Sequence, residues 1–156
     1  IEYSDFECPY CKRGHAVIEE VMKKYGDKVR VIYKHLPLDF HPLAMPAAKY
    51  YEAVAKQGID KAKKYYDYIF TKQSELGAKK EKFLQEAAKQ AGADMAQVKK
   101  DLESEEVKKK IEADMEEARN YGFNGTPGFL VNGVSIRGAY PIDEFNKIID
   151  QLGVAK

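Results

Sequence analysis

Cys8-Pro9-Tyr10-Cys11 contains the only two cysteines of the chain. Thiols at this spacing can cycle between dithiol and disulfide, contribute to a metal site, or close a small structural loop. The context favours the first. Pro9 suits the first helical position, where its missing N–H costs nothing. Cys8 then falls at the N-cap and Cys11 inside the first turn. A thiolate at Cys8 would face unpaired backbone N–H groups and the positive end of the helix dipole. That setting lowers a thiol pKa, and the thiolate is the nucleophile of thiol chemistry. Lys12 and Arg13 add positive charge in the same direction.

The other uses fit less well. A zinc site needs about four ligands, and beyond the cysteines the candidates are His15, His35, His41 and carboxylates, with no second close-spaced pair. Covalent haem attachment would require histidine where Lys12 stands. A structural disulfide here would close a loop too short to remove much unfolded-state entropy. The pattern therefore predicts a redox dithiol that needs neither metal nor cofactor.

The elements around the dithiol follow from periodicity. Ile1 to Phe6 alternates apolar and polar residues, as in a strand leading into the cysteines. The helix from Pro9 carries Val17, Ile18, Val21, Met22 and Tyr25 on one stripe and stops at Gly26-Asp27. Val29 to His35 is rich in β-branched and aromatic residues and predicts the next strand. Strand, helix and strand in this order imply a parallel pair with a right-handed crossover. The dithiol then lies at the carboxyl end of a strand, where open α/β sheets place their chemistry.

From Pro42 to Tyr121 the pattern becomes helical, with Gly58, Gly77 and Gly92 as expected dividers. Asp94 and Gln97 suggest a capping box. Ser104 marks another helix start, followed by the apolar stripe Val107, Ile111, Met115 and Ala118. The tyrosines of this stretch (Tyr50, Tyr51, Tyr65, Tyr66, Tyr68) read as packing. Strands return as Phe129–Val131 and Val134–Ile136 about an Asn132-Gly133 turn. Pro141 opens a final helix with Ile142, Phe145, Ile149 and Leu152 on one face.

Composition is that of a globular protein, 44% hydrophobic and 33% charged with net charge +1. Lysine runs such as Lys108-Lys109-Lys110 alternate with acids at helical spacing, which marks solvated faces and argues against nucleic acid as a partner. No apolar run approaches the roughly 18 residues of a membrane span. The chain opens in the middle of a strand, so a signal or anchor is expected to have preceded it.

Ser4-Asp5-Phe6-Glu7-Cys8-Pro9-Tyr10-Cys11-Lys12-Arg13, together with Phe123-Asn124-Gly125-Thr126-Pro127-Gly128-Phe129-Leu130-Val131-Asn132-Gly133, resembles the DsbA-like thiol–disulfide oxidoreductases of bacterial envelopes. The resemblance implies an α/β thioredoxin fold over 1–41 and 122–156, with a helical insertion over 42–121. It implies Cys8 as attacking thiol, Cys11 as resolving thiol, and Glu2 as the acidic residue beneath the site. Pro127 would be the cis-proline and Thr126 the residue whose backbone pairs with substrate; Pro9 and Tyr10 would also contact it. Implied partners are unfolded or partly folded proteins and a membrane redox partner that resets the dithiol, in the periplasm or a similar compartment. The Pro-Tyr dipeptide differs from the Pro-His of the strongly oxidising prototype and also occurs in glutaredoxins and a periplasmic isomerase relative, so an isomerase or reductase is the alternative to an oxidase. A third reading is a chaperone-like module using an apolar rim of Phe6, Tyr10 and Phe129. His15 reads as a solvated helix residue and His41-Pro42 as a turn into the helical block.

Overall fold

A computed structural model of the chain describes residues 1–154. Strand β1 (Glu2–Ser4) runs into helix α1 (Pro9–Tyr25), which leads to β2 (Tyr33–His35). Helices α2 (Ala44–Ala55), α3 (Ile59–Thr71), α4 (Leu76–Lys79), α5 (Glu81–Gln90), α6 (Met95–Leu102) and α7 (Glu105–Asn120) follow. The hairpin β3 (Gly128–Val131) and β4 (Val134–Arg137) and helix α8 (Ile142–Gln151) complete the order. The sheet runs β2-β1-β3-β4, with β1 parallel to β2 and antiparallel to β3.

Both faces of the sheet are covered. Val17, Ile18, Val21 and Tyr25 of α1 pack with Phe129, Ile136, Phe145 and Ile149 on one side. Tyr3, Leu36, Ala118, Phe123 and Leu130 fill the other. Although β1 alternates apolar and polar residues, Glu2, Tyr3 and Ser4 are all buried. Phe129 lies directly opposite Glu2 in the register and packs against α1. Neighbouring side chains on paired strands share a face, so Glu2 points beneath α1, the helix that carries the dithiol.

Several boundaries differ from expectation for local reasons. The β2 ladder covers Tyr33–His35, paired from Glu2↔Tyr33, rather than Val29–His35. Val29 and Val31 instead pack against the α1–α8 cluster. Gly77 lies inside α4; the break falls at Lys80, whose φ is 54°. Asp94 caps α6 through Ala96 N and Gln97 N, but the Gln97 side chain turns to Asp101 instead of closing the capping box. Leu152 falls just past α8 and is exposed. The Asn132-Gly133 turn has positive φ at both residues, the twist that two-residue hairpins require.

The helical block does not stand apart from the dithiol. Phe6, Cys8 and Cys11 belong to the same buried cluster as Tyr51, Tyr65, Tyr66, Ile69 and Phe70.

Candidate active site

The active-site turn is built by the N-terminus of α1. Cys8 is its N-cap, with extended backbone (φ −76°, ψ 122°), and Pro9 follows in the first turn. The Cys8 carbonyl accepts from Cys11 N at 3.1 Å and Lys12 N at 3.4 Å. Cys11 is fully buried, and its sulfur accepts the Asp5 backbone N–H at 3.4 Å. Both cysteines are free thiols. The N-cap position does not expose Cys8, which is only 4% exposed. Its thiol lies against the Thr126 carbonyl at 3.8 Å, which covers it from the β3 side.

The Thr126–Pro127 bond is cis. A Cβ at Gly14, one turn beyond the dithiol on α1, would lie 3.1 Å from Pro127 Cγ and 3.2 Å from Phe129 Cζ. Glycine at that position therefore lets the Pro127 loop close onto the helix. Tyr10 projects outward, 57% exposed, with the Arg13 guanidinium over its ring at 5.5 Å.

The two thiols differ in acidity. The Cys8 thiol is lowered from about 9 to about 6, chiefly by the Cys11 side chain, then by the Thr126 side chain and the backbone N–H groups of Cys11 and Tyr10, all working against burial. Cys11 is pushed well above the ordinary thiol range, first by burial and then by Cys8. Such a pair suits thiol–disulfide exchange, with an ionised attacker beside a protonated resolver.

Glu2 is fully buried, and burial raises its pKa to about 8 against the opposing influence of the Tyr66 hydroxyl. Glu2, Ser4 Oγ, Tyr66 Oη and Thr126 Oγ1 make no hydrogen bond of good geometry, although Tyr66 faces Glu2 and Ser4, and Thr126 faces the two cysteines. Glu2 and Cys11 both disfavour ionisation of Tyr66, which ties these groups to one neighbourhood.

Three other residues enter the site. Asp5 is buried and its carboxylate accepts from Glu7 N at 2.8 Å, Leu38 N at 2.9 Å and His41 Nδ1 at 2.7 Å. His41 is thus more than a turn residue. Gln73 reaches the turn from the helical block and donates to the Phe6 and Cys8 carbonyls. His15 is half-buried rather than solvated, stacked on Phe70 and 3.3 Å from Asp67. Asp5 had a signal in its place three residues before Cys8. Gln73, 65 residues from the dithiol in sequence, had none.

The apolar rim of a chaperone-like module is not formed as expected. Phe6 and Phe129 are 3% and 2% exposed, Phe6 being packed among Tyr51, Tyr65, Tyr66 and Phe70. Among the described residues, two clusters have metal-like composition, His15-Glu19-Asp67 and His35-Glu52-Asp114. In each, a lysine ammonium already contacts the carboxylates: Lys63 on Glu19 and Asp67, and Lys110 on Asp114.

A family model described as thioredoxin matches residues 1–151. The Na(+)/H(+) antiporter NhaA of Herminiimonas arsenicoxydans is 35% identical over 140 residues, covering 90% of this chain and 21% of that protein. The chain thus spans about a fifth of the length of that curated relative. A thioredoxin-like oxidoreductase from Silicibacter pomeroyi superposes with a TM-score of 0.84 at 26% identity, over 99% of this chain and 86% of the other. The thiol-disulfide exchange protein alpha-DsbA2 from Wolbachia pipientis, at 18% identity, shares the fold with a TM-score of 0.81 over 97% and 79% of the two chains. The match across residues 1–151, on a sheet and dithiol turn of this geometry, establishes that the chain belongs to the thioredoxin family.

Proposed function

We propose that the chain is a thiol–disulfide oxidoreductase that works as an oxidase on exported proteins. In the oxidised form a substrate thiolate attacks Cys8 Sγ. The Cys8–Cys11 bond breaks, a mixed disulfide forms at Cys8, and Cys11 leaves and takes a proton. A second substrate thiolate then attacks the substrate sulfur of the mixed disulfide, releasing a substrate disulfide and the Cys8 thiolate. Two electrons pass from two substrate thiols to the dithiol.

The observation that carries this reading is the placement of the dithiol: Cys8 caps α1 with its thiol against the Thr126 carbonyl beside Pro127, a setting that lowers its pKa, and Cys11 is fully buried behind it. An acidic thiol leaves readily, and a stabilised thiolate stabilises the reduced form, which makes the disulfide an oxidant. The Pro9-Tyr10 dipeptide supports a second reading, an isomerase or reductase kept reduced by a partner.

Glu2 would serve the Cys11 proton. A carboxyl group with a pKa of about 8 is close to an ordinary thiol, so it can give a proton to Cys11 as it leaves and take it back in the reverse step. Thr126 would pair its backbone with the substrate, a mode tolerant of sequence. Pro127 places no N–H near the sulfurs. Pro9 and Tyr10 would form the outer wall against which substrate rests.

Stable disulfides form in oxidising compartments, so an extracytoplasmic location and a membrane partner that reoxidises the dithiol complete the proposal. Sodium–proton exchange is not carried over from an antiporter of which this chain matches about a fifth. Measuring the reduction potential tests the direction. A potential of roughly −180 mV or above fits the oxidase, and one near roughly −270 mV marks a reductase.

A further inference from the structure

Gln73 lies in the single 3-10 turn Gln73–Glu75 between α3 and α4. Its Nε2 donates to the Phe6 carbonyl at 2.8 Å and the Cys8 carbonyl at 2.9 Å. These carbonyls bracket Glu7, whose own N–H is held by Asp5. The loop from the strand to the dithiol is thereby fixed by side chains on two sides. Asp5, with Leu38 and His41, holds one side, and the helical block holds the other through Gln73. Buried backbone groups need partners, and here a residue remote in sequence supplies two of them.

The chemistry follows from where the amide sits. The Cys8 carbonyl belongs to the N-cap peptide, whose orientation aims the first helical N–H groups toward the Cys8 sulfur. Two amide hydrogens on the Phe6 and Cys8 oxygens hold that peptide and offset the negative ends of two carbonyl dipoles close to the thiol. Without the Gln73 amide the Cys8 oxygen would keep only its helical donors, Cys11 N and Lys12 N, the Phe6 oxygen would lose this donor, and the loop could turn about Glu7.

We propose that Gln73 is a positioning residue for the dithiol, through which the helical block sets the geometry and reactivity of Cys8 from outside the Cys-Pro-Tyr-Cys motif. The proposal rests on Cys8 being the reactive thiol. It makes the α3–α4 turn part of the active site although it touches no reacting atom.

The test uses the whole chain with Gln73→Leu, which keeps bulk and removes the donors, and Gln73→Glu, which replaces them with acceptors. Gln73 is only half-buried, so both variants should fold. Alkylation of reduced protein across pH, with the modified cysteine identified by mass spectrometry, reads the Cys8 thiolate, and thermal melts run alongside. One lost hydrogen bond of ordinary strength corresponds to a change of about threefold to tenfold in an equilibrium. The Cys8 midpoint should therefore rise by about 0.5 to 1 pH unit in Gln73→Leu, and further in Gln73→Glu. Midpoints equal to wild type in both folded variants would overturn the proposal. So would failure of both to fold, or a lower melting temperature with no movement of the titration, since Gln73 would then serve the scaffold alone. A wild-type Cys8 that titrates as an ordinary thiol would instead break the underlying functional reading.

Discussion

Two sets of buried polar groups are finished differently. Among helices α2, α3, α6 and α7 and at His35 of β2, polar groups are paired. His35 Nε2 contacts Glu52 at 2.8 Å, and Asp114 accepts from His35 N at 3.1 Å and Lys110 at 2.7 Å. Lys56 holds Asp101 at 3.1 Å, and Tyr65 donates to the Ala47 carbonyl at 2.9 Å. Around the dithiol, Glu2, Ser4, Thr126 and Tyr66 have buried polar atoms without a well-formed hydrogen bond, as does His15. Glu75 Oε2, also without one, lies in the Gln73 turn next to the same loop. An unsatisfied buried group costs about 1–3 kcal/mol. Asp5 beside the dithiol is fully paired, so the groups without a well-formed hydrogen bond are those between β1, Tyr66 and Thr126.

The strongest way to break this contrast is at the thiols. Cys8→Ser should abolish exchange, while in Cys11→Ser the remaining Cys8 thiolate should attack a disulfide-containing substrate, expel one of its two sulfurs as a thiolate and, with no Cys11 to resolve it, accumulate the mixed disulfide as a stable adduct on a non-reducing gel. Accumulation by Cys8→Ser instead would reverse the two roles.

Glu2→Gln comes next. Stopped-flow kinetics should show the step involving Cys11 slowed by about 10²-fold at neutral pH, in the range of general acid–base catalysis, with attack at Cys8 nearly unchanged. The same variant should be more stable. The folded carboxyl, at about 8, binds its proton more tightly than an unfolded one at about 4.5. Its protonation therefore favours the fold below about pH 4.5, and that contribution is lost progressively as pH rises toward 8. Glutamine escapes the loss, so Glu2→Gln should gain about 3 kcal/mol at pH 7 and nothing at pH 4.5 in denaturant melts. A gain independent of pH would show that the carboxyl is not kept protonated by burial.

On the paired side the response should be purely structural. Asp114→Ala leaves the buried His35 N–H without an acceptor and should lower stability by about 2 kcal/mol, while the pH profile of Cys8 alkylation stays fixed. A moved profile would connect the two regions. The smallest effect is expected at Gly14→Ala. Helix propensity favours alanine by about 1 kcal/mol, and the crowding against Pro127 and Phe129 offsets it. Melting should hardly change while exchange slows, because Pro127 must retreat from the dithiol.

The contrast also shows what a sequence can carry. Local rules placed Cys8 at the N-cap, Asn132-Gly133 in the hairpin turn and Ser104 at the start of α7, since each depends on nearby residues. Whether Glu2 faced solvent or the site could not be read from alternation, because a strand covered on both faces buries every residue. Phe6 and Phe129 looked like an exposed rim for the same reason. Gln73 and the Asp5–His41 pair depend on contacts across 36 to 67 residues of chain, and no periodic pattern encodes them.

The central claim is that the Cys8 thiol is the acidic member of an asymmetric pair. Alkylation of the reduced protein across pH, with mass spectrometric assignment of each modified cysteine, measures it directly. The predicted result is modification at Cys8 with a midpoint near pH 6, and Cys11 silent until well above the ordinary thiol range. Modification of Cys11 first, or a Cys8 midpoint near the free-thiol value of about 8.5, would contradict it.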